Sequence, residues 1–341
     1  MVSKRFTTLL IVVMLVLTGG CTLIVPPTTP SATPSAPLPD ALTLPIGFRP
    51  EGITISQKGE FFVGSLGTVA TENAPIVGGA IYRGDLATDE GAILVEPAEN
   101  QMAVGLNLDP RTGYLFVAGG MMGDVRVYDT SRGNLLAQYA VAGEGGFIND
   151  LAVLADGVYA TDSFLPSLYR IPLTPDGQLV PDAVGEAIAL GGDYAVGDGA
   201  YPFQANGIVA TADGAALIIV NSNTGLLYRV EPATGVTTEI SLGEQTVMFG
   251  DGLALYGTTL YVIENYANQV AVVELAPDLA TGQISGVITQ DDYAFNIPTT
   301  AALFGDALYV VNARYEDSAP LTAGSPDIDY PIMRVATMVK Q

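Results

Sequence analysis

The feature that most constrains this 341-residue chain is a repeat. One strand-like string recurs six times: EFFVGS at 60–65, LFVAGG at 115–120, VYATDS at 158–163, LIIVNS at 217–222, LYVIEN at 260–265 and LYVVNA at 308–313. A second string precedes each: EGITI from Glu51, VGLNL from Val104, NDLAV from Asn149, NGIVA from Asn206, DGLAL from Asp251 and a weaker TTAAL from Thr299. A third carries an aliphatic-Tyr-Arg signature at 81–83, 168–170 and 227–229. DPRTG, EPATG and PDLATG read as hairpin turns. Val, Ile, Tyr, Thr and Gly dominate and long helical periodicity is absent, so the unit is all-β. A period of about 50 residues is that of a four-stranded propeller blade. Six repeats predict an all-β, six-bladed β-propeller over residues 41–341. The last repeat supplies three strands, 299–304, 308–312 and 331–340, while ALTLPIG at 41–47 is a spare strand. That N-terminal strand is expected to close the ring as the outer strand of the last blade, removing a free edge. Insertions at 66–79, 178–203 and 314–330 are candidate rims or lids. The 178–203 segment, with Asp182, Glu186, Asp193, Asp198 and Tyr201, reads as a plain long loop.

The chain ahead of the repeats reads as an address. Lys4 and Arg5 precede an uncharged run from Phe6 to Leu17, and Thr18-Gly19-Gly20 places small residues before Cys21. The run is short for a membrane span. Cys21 sits where a bacterial lipoprotein cysteine would sit, although Leu17 stands four residues before it instead of the usual three. Residues 1–20 are read as a lipoprotein-type signal peptide and Cys21 as its lipidation site. Residues 22–40 hold six prolines among Thr and Ser, an extended tether that cannot bury a core. The expected location is the extracytoplasmic face of the cell envelope, with the membrane a partner through the lipid anchor only.

Composition narrows the chemistry. There is no His, so no Ser-His-Asp or Cys-His hydrolase and no imidazole-bound zinc or haem is expected. A single Cys excludes an internal disulfide and a CxxC pair. With 13 Lys and Arg against 36 Asp and Glu, a net charge of −23, nucleic acid is not an expected partner. Charged residues are 14% and apolar ones 49%, which suits a globular fold and not an acidic disordered chain.

In a propeller the first strand of each blade lines the central channel, and its start lies at one mouth. Aligning the repeats puts Glu51, Val104, Asn149, Asn206, Asp251 and Thr299 there. The next column is Gly52, Gly105, Asp150, Gly207, Gly252 and Thr300. Glu51, Asn149, Asn206 and Asp251 are hard oxygen donors from four blades, with a net charge of −2 that balances one divalent cation. They suit Ca²⁺ over zinc or copper. Each alone could be a turn cap; the four at one aligned position are read as metal ligands. Asp150 is read either as a turn carboxylate, as support behind the site, or as a ligand of a second, structural calcium.

The repeat strings and these four mouth residues resemble the calcium-dependent six-bladed propeller superfamily that includes gluconolactonase, regucalcin (the senescence marker protein), diisopropylfluorophosphatase and paraoxonase. The resemblance covers about residues 45–340. It implies that Glu51 in PEG, Asn149 in FIND, Asn206 in QANG and Asp251 in GDG hold a catalytic calcium, or another divalent cation. FINDLAV followed by VYATDS is similar to the paraoxonase pattern, which gives Asp150 its suggested supporting or structural-calcium role. Two departures point away from a paraoxonase-like mechanism: the chain has no His for a dyad, and blade 2 offers Val104 where some relatives place a polar group.

The implied activity is hydrolysis of a lactone or activated ester of the gluconolactonase-like type. Asp251 is the expected catalytic residue, as general base for water or as nucleophile. Loops after the second strands bring Asp162, Ser163, Asn221, Ser222, Glu264, Asn265 and Asn312 toward the same mouth. These residues either cap turns or contact a polar, polyhydroxylated substrate. The alternative is a non-catalytic, surface-tethered propeller that binds a ligand or protein, with calcium as a structural clip.

Overall fold

The computed structural model describes residues 38–69, 76–199, 201–315 and 328–337. The signal-like segment 1–20, Cys21 and most of the Pro-rich stretch lie outside the described residues, as do parts of the 66–79 and 314–330 insertions. Among the described residues there is no helix. The strands form six antiparallel blades, and in each the first strand lies innermost and the chain steps outward. Blade 1 begins at Pro50–Ile55, blade 2 at Leu106–Asp109, blade 3 at Ile148–Val153, blade 4 at Ala205–Ala210, blade 5 at Gly250–Tyr256 and blade 6 at Pro298–Phe304.

Ring closure follows the expectation. Ala41–Leu42 pairs with Ile332–Ala336 as the outer strand of blade 6, with Leu42 opposite Ile332. The strand is shorter than the apolar run because Pro45 has no N–H to add to a ladder. Thr43 instead caps itself on blade 1, its N–H donating to Asp89 Oδ1 at 2.8 Å and its hydroxyl to Oδ2 at 2.9 Å.

The period-2 alternation of the second strands is what glues the blades together. In blade 1, Phe61 and Val63 pack toward blade 6 while Phe62 faces blade 2. In blade 3, Val158 and Ala160 face blade 2 while Tyr159 faces blade 4. Among the described residues six apolar clusters fill the six gaps between neighbouring blades. Side chains at 2% exposure or less, such as Tyr159, Tyr228, Tyr261 and Tyr309, are central to them. Full burial of a side chain of this size contributes roughly 2–3 kcal/mol.

The 178–203 segment is not a plain loop. Glu186–Ala189 forms the outer strand of blade 3, and Gly191–Gly192 then runs parallel to the outer strand of blade 4. This doubled edge carries the chain back over the ring to deliver Tyr201, Pro202 and Phe203 to the channel mouth.

Candidate active site at the channel mouth

The mouth residues are aimed by a backbone irregularity that repeats around the ring. In five blades the ladder between first and second strands slips over two residues. Pairing resumes after the gaps 50/53, 148/151, 205/208, 250/253 and 298/301. Each gap holds one mouth residue and its follower: Glu51-Gly52, Asn149-Asp150, Asn206-Gly207, Asp251-Gly252 and Thr299-Thr300. A bulge leaves its residues free of the ladder and re-aims their side chains, here toward the axis. The glycines are required by close approach. A Cβ on Gly207 would collide with the Asp251 carbonyl, and one on Gly52 with the Val104 carbonyl.

Glu51, Asn149, Asn206 and Asp251 line one cavity of about 230 Å³, and each is no more than 6% exposed. Their orientation is set by the residues that follow the second strands. Ser163 donates its hydroxyl proton to the Ala205 carbonyl at 2.8 Å, so its oxygen accepts from Asn149 Nδ2 at 2.9 Å. Ser222 repeats the device one blade on, donating to the Gly250 carbonyl at 2.5 Å and accepting from Asn206 Nδ2 at 3.0 Å. A hydroxyl has one proton. Once it is given to a backbone carbonyl, the amide must present its NH₂ to the serine and keep Oδ1 for the channel side. In blade 5 the partner is an amide: Asn265 Nδ2 donates to Asp251 Oδ2 at 2.9 Å. Glu51 is held from behind through its backbone, where the Thr299 hydroxyl donates to its carbonyl at 2.7 Å. Its Oε2 is buried and has no hydrogen-bond partner.

Electrostatics at this point are adverse for bare carboxylates. Burial, with repulsion from Asp251 and Asp150, pushes the Glu51 carboxyl well above its ordinary range. Burial pushes Asp251 up to about 8, against the stabilising hydrogen bonds from Asn265 and Asn206. Asp150 is pushed up to about 7 by burial, although its carboxylate accepts the N–H of Leu151 at 2.8 Å and of Ile208 at 3.3 Å. Asp150 therefore ties blade 3 to blade 4 just behind the mouth and does not line the cavity. Among the described residues no three His, Cys, Asp or Glu side chains gather as a metal cluster. The converging set is two carboxylates with two amides.

Of the seven loop residues, Asn265 lines the cavity and the other six do not. Tight turns after the second strands leave backbone N–H groups without ladder partners, and these side chains satisfy them. Asp162 Oδ1 accepts from the N–H groups of Phe147, Phe164 and Leu165 at 2.9–3.0 Å. Asn221 accepts from Asn223 and Thr224. Asn312 bridges Asn296 N–H and the Ala294 carbonyl. Glu264 accepts from Gln269 Nε2 at 2.6 Å. Ser163 and Ser222 orient the mouth amides as described. A ring of polar contacts for a polyhydroxylated substrate is thus not what these residues form.

The cavity walls are aromatic, which the repeat alignment does not reveal. Phe147, Phe164 and Phe203 form a triad with all three centroid separations at 5.4 Å. Tyr201 continues the arc to Tyr266 at 6.0 Å. Leu66, Val104 and Met121 come from blades 1 and 2, and Tyr315 from the 314–330 insertion. Burial, with repulsion from Glu51 and Asp251, pushes the Tyr315 phenol well above its ordinary value.

The sequence matches no protein-family profile and no curated protein. Solved structures do share the architecture. The major Malassezia sympodialis allergen Mala s 1 superposes with a TM-score of 0.64 at 13% identity, covering 89% of this chain and 98% of its own. A streptogramin B lyase gives 0.52 at 14%, covering 86% and 96%. A Bacteroides fragilis protein provisionally named a 6-phosphogluconolactonase gives 0.54 at 16%, covering 76% of each chain. At these identities the likeness establishes the propeller fold alone.

Proposed function

We propose that the channel mouth binds a divalent cation, calcium, through Glu51, Asn149, Asn206 and Asp251, and hydrolyses a lactone or activated ester there. The observation that carries this reading is the buried, unpartnered Glu51 Oε2 facing a cavity shared with Asp251 and two orientation-locked amides. Buried carboxylates repelling one another are unfavourable unless they are protonated or share a cation. A hard, all-oxygen donor set of net charge −2 fits calcium. When bound, the ion would polarise a substrate carbonyl as a Lewis acid.

The remaining chemistry falls to the chain. Asn265 donates to Asp251 Oδ2 at 2.9 Å and holds the carboxyl in place, and Asp251 is the group that would accept a proton from water. Water adds its oxygen to the carbonyl carbon and gives a proton to Asp251. The bond to the leaving alkoxide or phenoxide breaks, and Asp251 returns the proton to that oxygen. The flanking aromatic rings limit water at the cleaving bond. A carboxylate beside a cation is a weak base, which favours lactones and aryl esters over amides. The fold likeness to a lyase and to a provisionally named lactonase is in keeping with an enzyme on this scaffold. In the same proposal the chain is exported and held at the envelope by lipidated Cys21.

Isothermal titration with Ca²⁺, and with Mn²⁺ in parallel, tests the site; one binding event is expected, lost in Glu51→Gln. A panel of lactones and phenyl esters, assayed before and after chelation, tests turnover. Asp251→Asn should lower kcat at least about 100-fold. Absence of any cation binding would sink the proposal. Binding without turnover would leave the non-catalytic propeller with structural calcium.

A further inference from the structure

The third strands of four blades carry an arginine that the channel mouth does not use: Arg83, Arg170, Arg229 and Arg334. Three of them are paired within their own blade. Arg83 meets Glu60, Arg170 meets Asp156 and Glu186 at 3.1 Å each, and Arg334 meets Asp306 at 3.5 Å. Arg229 is half-buried, yet among the described residues its side chain makes no hydrogen bond or ion pair. Two differences between blades 3 and 4 account for this. The outer strand places Glu186 opposite Arg170 but Thr238 opposite Arg229. The turns after the first strands match, LADG at 154–157 and TADG at 211–214, and each holds an acid, Asp156 or Asp213. Leu154 cannot hydrogen-bond a carboxylate, so Asp156 is left for Arg170. Thr211 can: its hydroxyl donates to Asp213 Oδ1 at 2.7 Å, and the Ala215 N–H donates to the same oxygen at 3.0 Å. These two bonds are the main reason the Asp213 carboxyl lies below its ordinary value, with the Arg229 charge a lesser cause.

Arg229 lines a groove of about 490 Å³ between blades 4 and 5. The turns that frame it, at 211–216, 257–258 and 276–281, follow first and third strands, so the groove lies on the face opposite the mouth. Leu255, Leu275, Pro277 and Leu279 give it an apolar wall. We propose that this groove binds a small monocarboxylate with an apolar body, whose carboxylate pairs with Arg229. Holding a guanidinium partly out of water without a counter-ion is unfavourable, and its planar fork matches a carboxylate. Asp213 and Asp278 also line the groove, so a doubly charged phosphate is repelled more than a singly charged group. The volume falls within the roughly 300–1,000 Å³ of small-molecule pockets, which suits a free acid. This site is separate from the mouth and stands or falls independently of hydrolysis there.

The test uses the full chain stripped of divalent cations, so that no cation at the mouth can hold the probe. 4-Phenylbutyrate is titrated by ligand-observed NMR, and for a ligand of about 12 non-hydrogen atoms a Kd in the low-millimolar range or tighter is expected. The neutral isostere 4-phenylbutanol should bind about 5-fold weaker or more, and 4-phenylbutyl phosphate no tighter than the acid. Arg229→Met should weaken 4-phenylbutyrate about 5-fold or more, and Arg229→Lys should recover part of the loss. Thr238→Glu, at an exposed position, restores the acid that blade 3 sets opposite Arg170. It should displace the probe to a similar extent with Arg229 intact, and it gives the readout should Arg229→Met fail to fold. Binding that these variants leave unchanged, equal binding of the alcohol, or no binding of 4-phenylbutyrate would overturn the proposal. Tighter binding of the phosphate would overturn the monocarboxylate class.

Discussion

The metal-free protein should lose stability as pH rises through neutrality, and this chain is unusually well suited to show it. It has no histidine. Ordinary carboxylates have finished titrating by about pH 5.5, and Tyr and Lys begin above about pH 9. Between those limits titrate the buried carboxylates in and behind the mouth, Asp251 at about 8 and Asp150 at about 7, with Glu51 and Glu264 also raised by burial. In the unfolded chain these groups are deprotonated throughout the window, while the folded state still holds their protons. The unfolded state therefore binds fewer protons, and the stability of the fold must fall with increasing pH. From pH 5.5 to about 8, Asp251 alone spans roughly 2.5 pH units at about 1.4 kcal/mol each, or ~3 kcal/mol. Asp150 adds in the same direction. At roughly 2 °C per kcal/mol for a domain of this size, Tm should drop by several degrees or more.

The assay is differential scanning calorimetry of chelated, dialysed protein at half-unit pH steps, repeated in excess calcium. Calcium should remove most of the slope, because the bound cation stabilises the ionised carboxylates that the apo fold disfavours. At 100 times Kd it should also add about 2.7 kcal/mol. Asp251→Asn should flatten the apo profile. A flat or rising apo Tm across pH 5.5–8 would refute the picture of mutually repelling buried carboxylates.

Three further outcomes test the supporting structure. Ser222→Ala should weaken calcium affinity about 10-fold or more by titration calorimetry, since it frees the Asn206 amide to flip and leaves the Gly250 carbonyl without its donor. Gly207→Ala should destabilise the fold by about 1–3 kcal/mol in thermal or urea denaturation, because the new Cβ meets the Asp251 carbonyl. Leu42→Ala should cost about 2–5 kcal/mol by the same measurement, as Leu42 is 1% exposed within the cluster that joins blade 6 to blade 1.

Much of the architecture was legible along the chain, because a propeller writes each blade as the same local pattern. The alternation in EFFVGS and VYATDS, the Thr-Gly turns and the missing fourth strand of the last repeat specify six blades and the closing strand, all from short-range regularities. The alignment also singled out Glu51, Asn149, Asn206 and Asp251, since one polar column in an apolar scaffold is visible without coordinates. Cavity residues between repeats, such as Tyr201 and Phe203, were not legible. They lie in a non-repeating insertion whose path depends on the outer edges of blades 3 and 4.

The loop residues show why local pattern runs short. Asp162 and Asn221 share one column of the aligned strands and cap turns; Ser163 and Asn265 share the next, yet Ser163 locks a neighbouring amide and Asn265 reaches the cavity. Which backbone N–H lacks a partner is decided only when strands from two blades meet, and a side chain answers that demand before any other. The sequence by itself determined the repeat, the ring and the column of oxygen donors. Tertiary structure decided how the mouth amides are turned, by bulging the inner strands toward the axis and giving the Ser163 and Ser222 protons to the next blade. It also decided that the walls around them are aromatic, because segments distant in sequence share a surface only after the ring has closed.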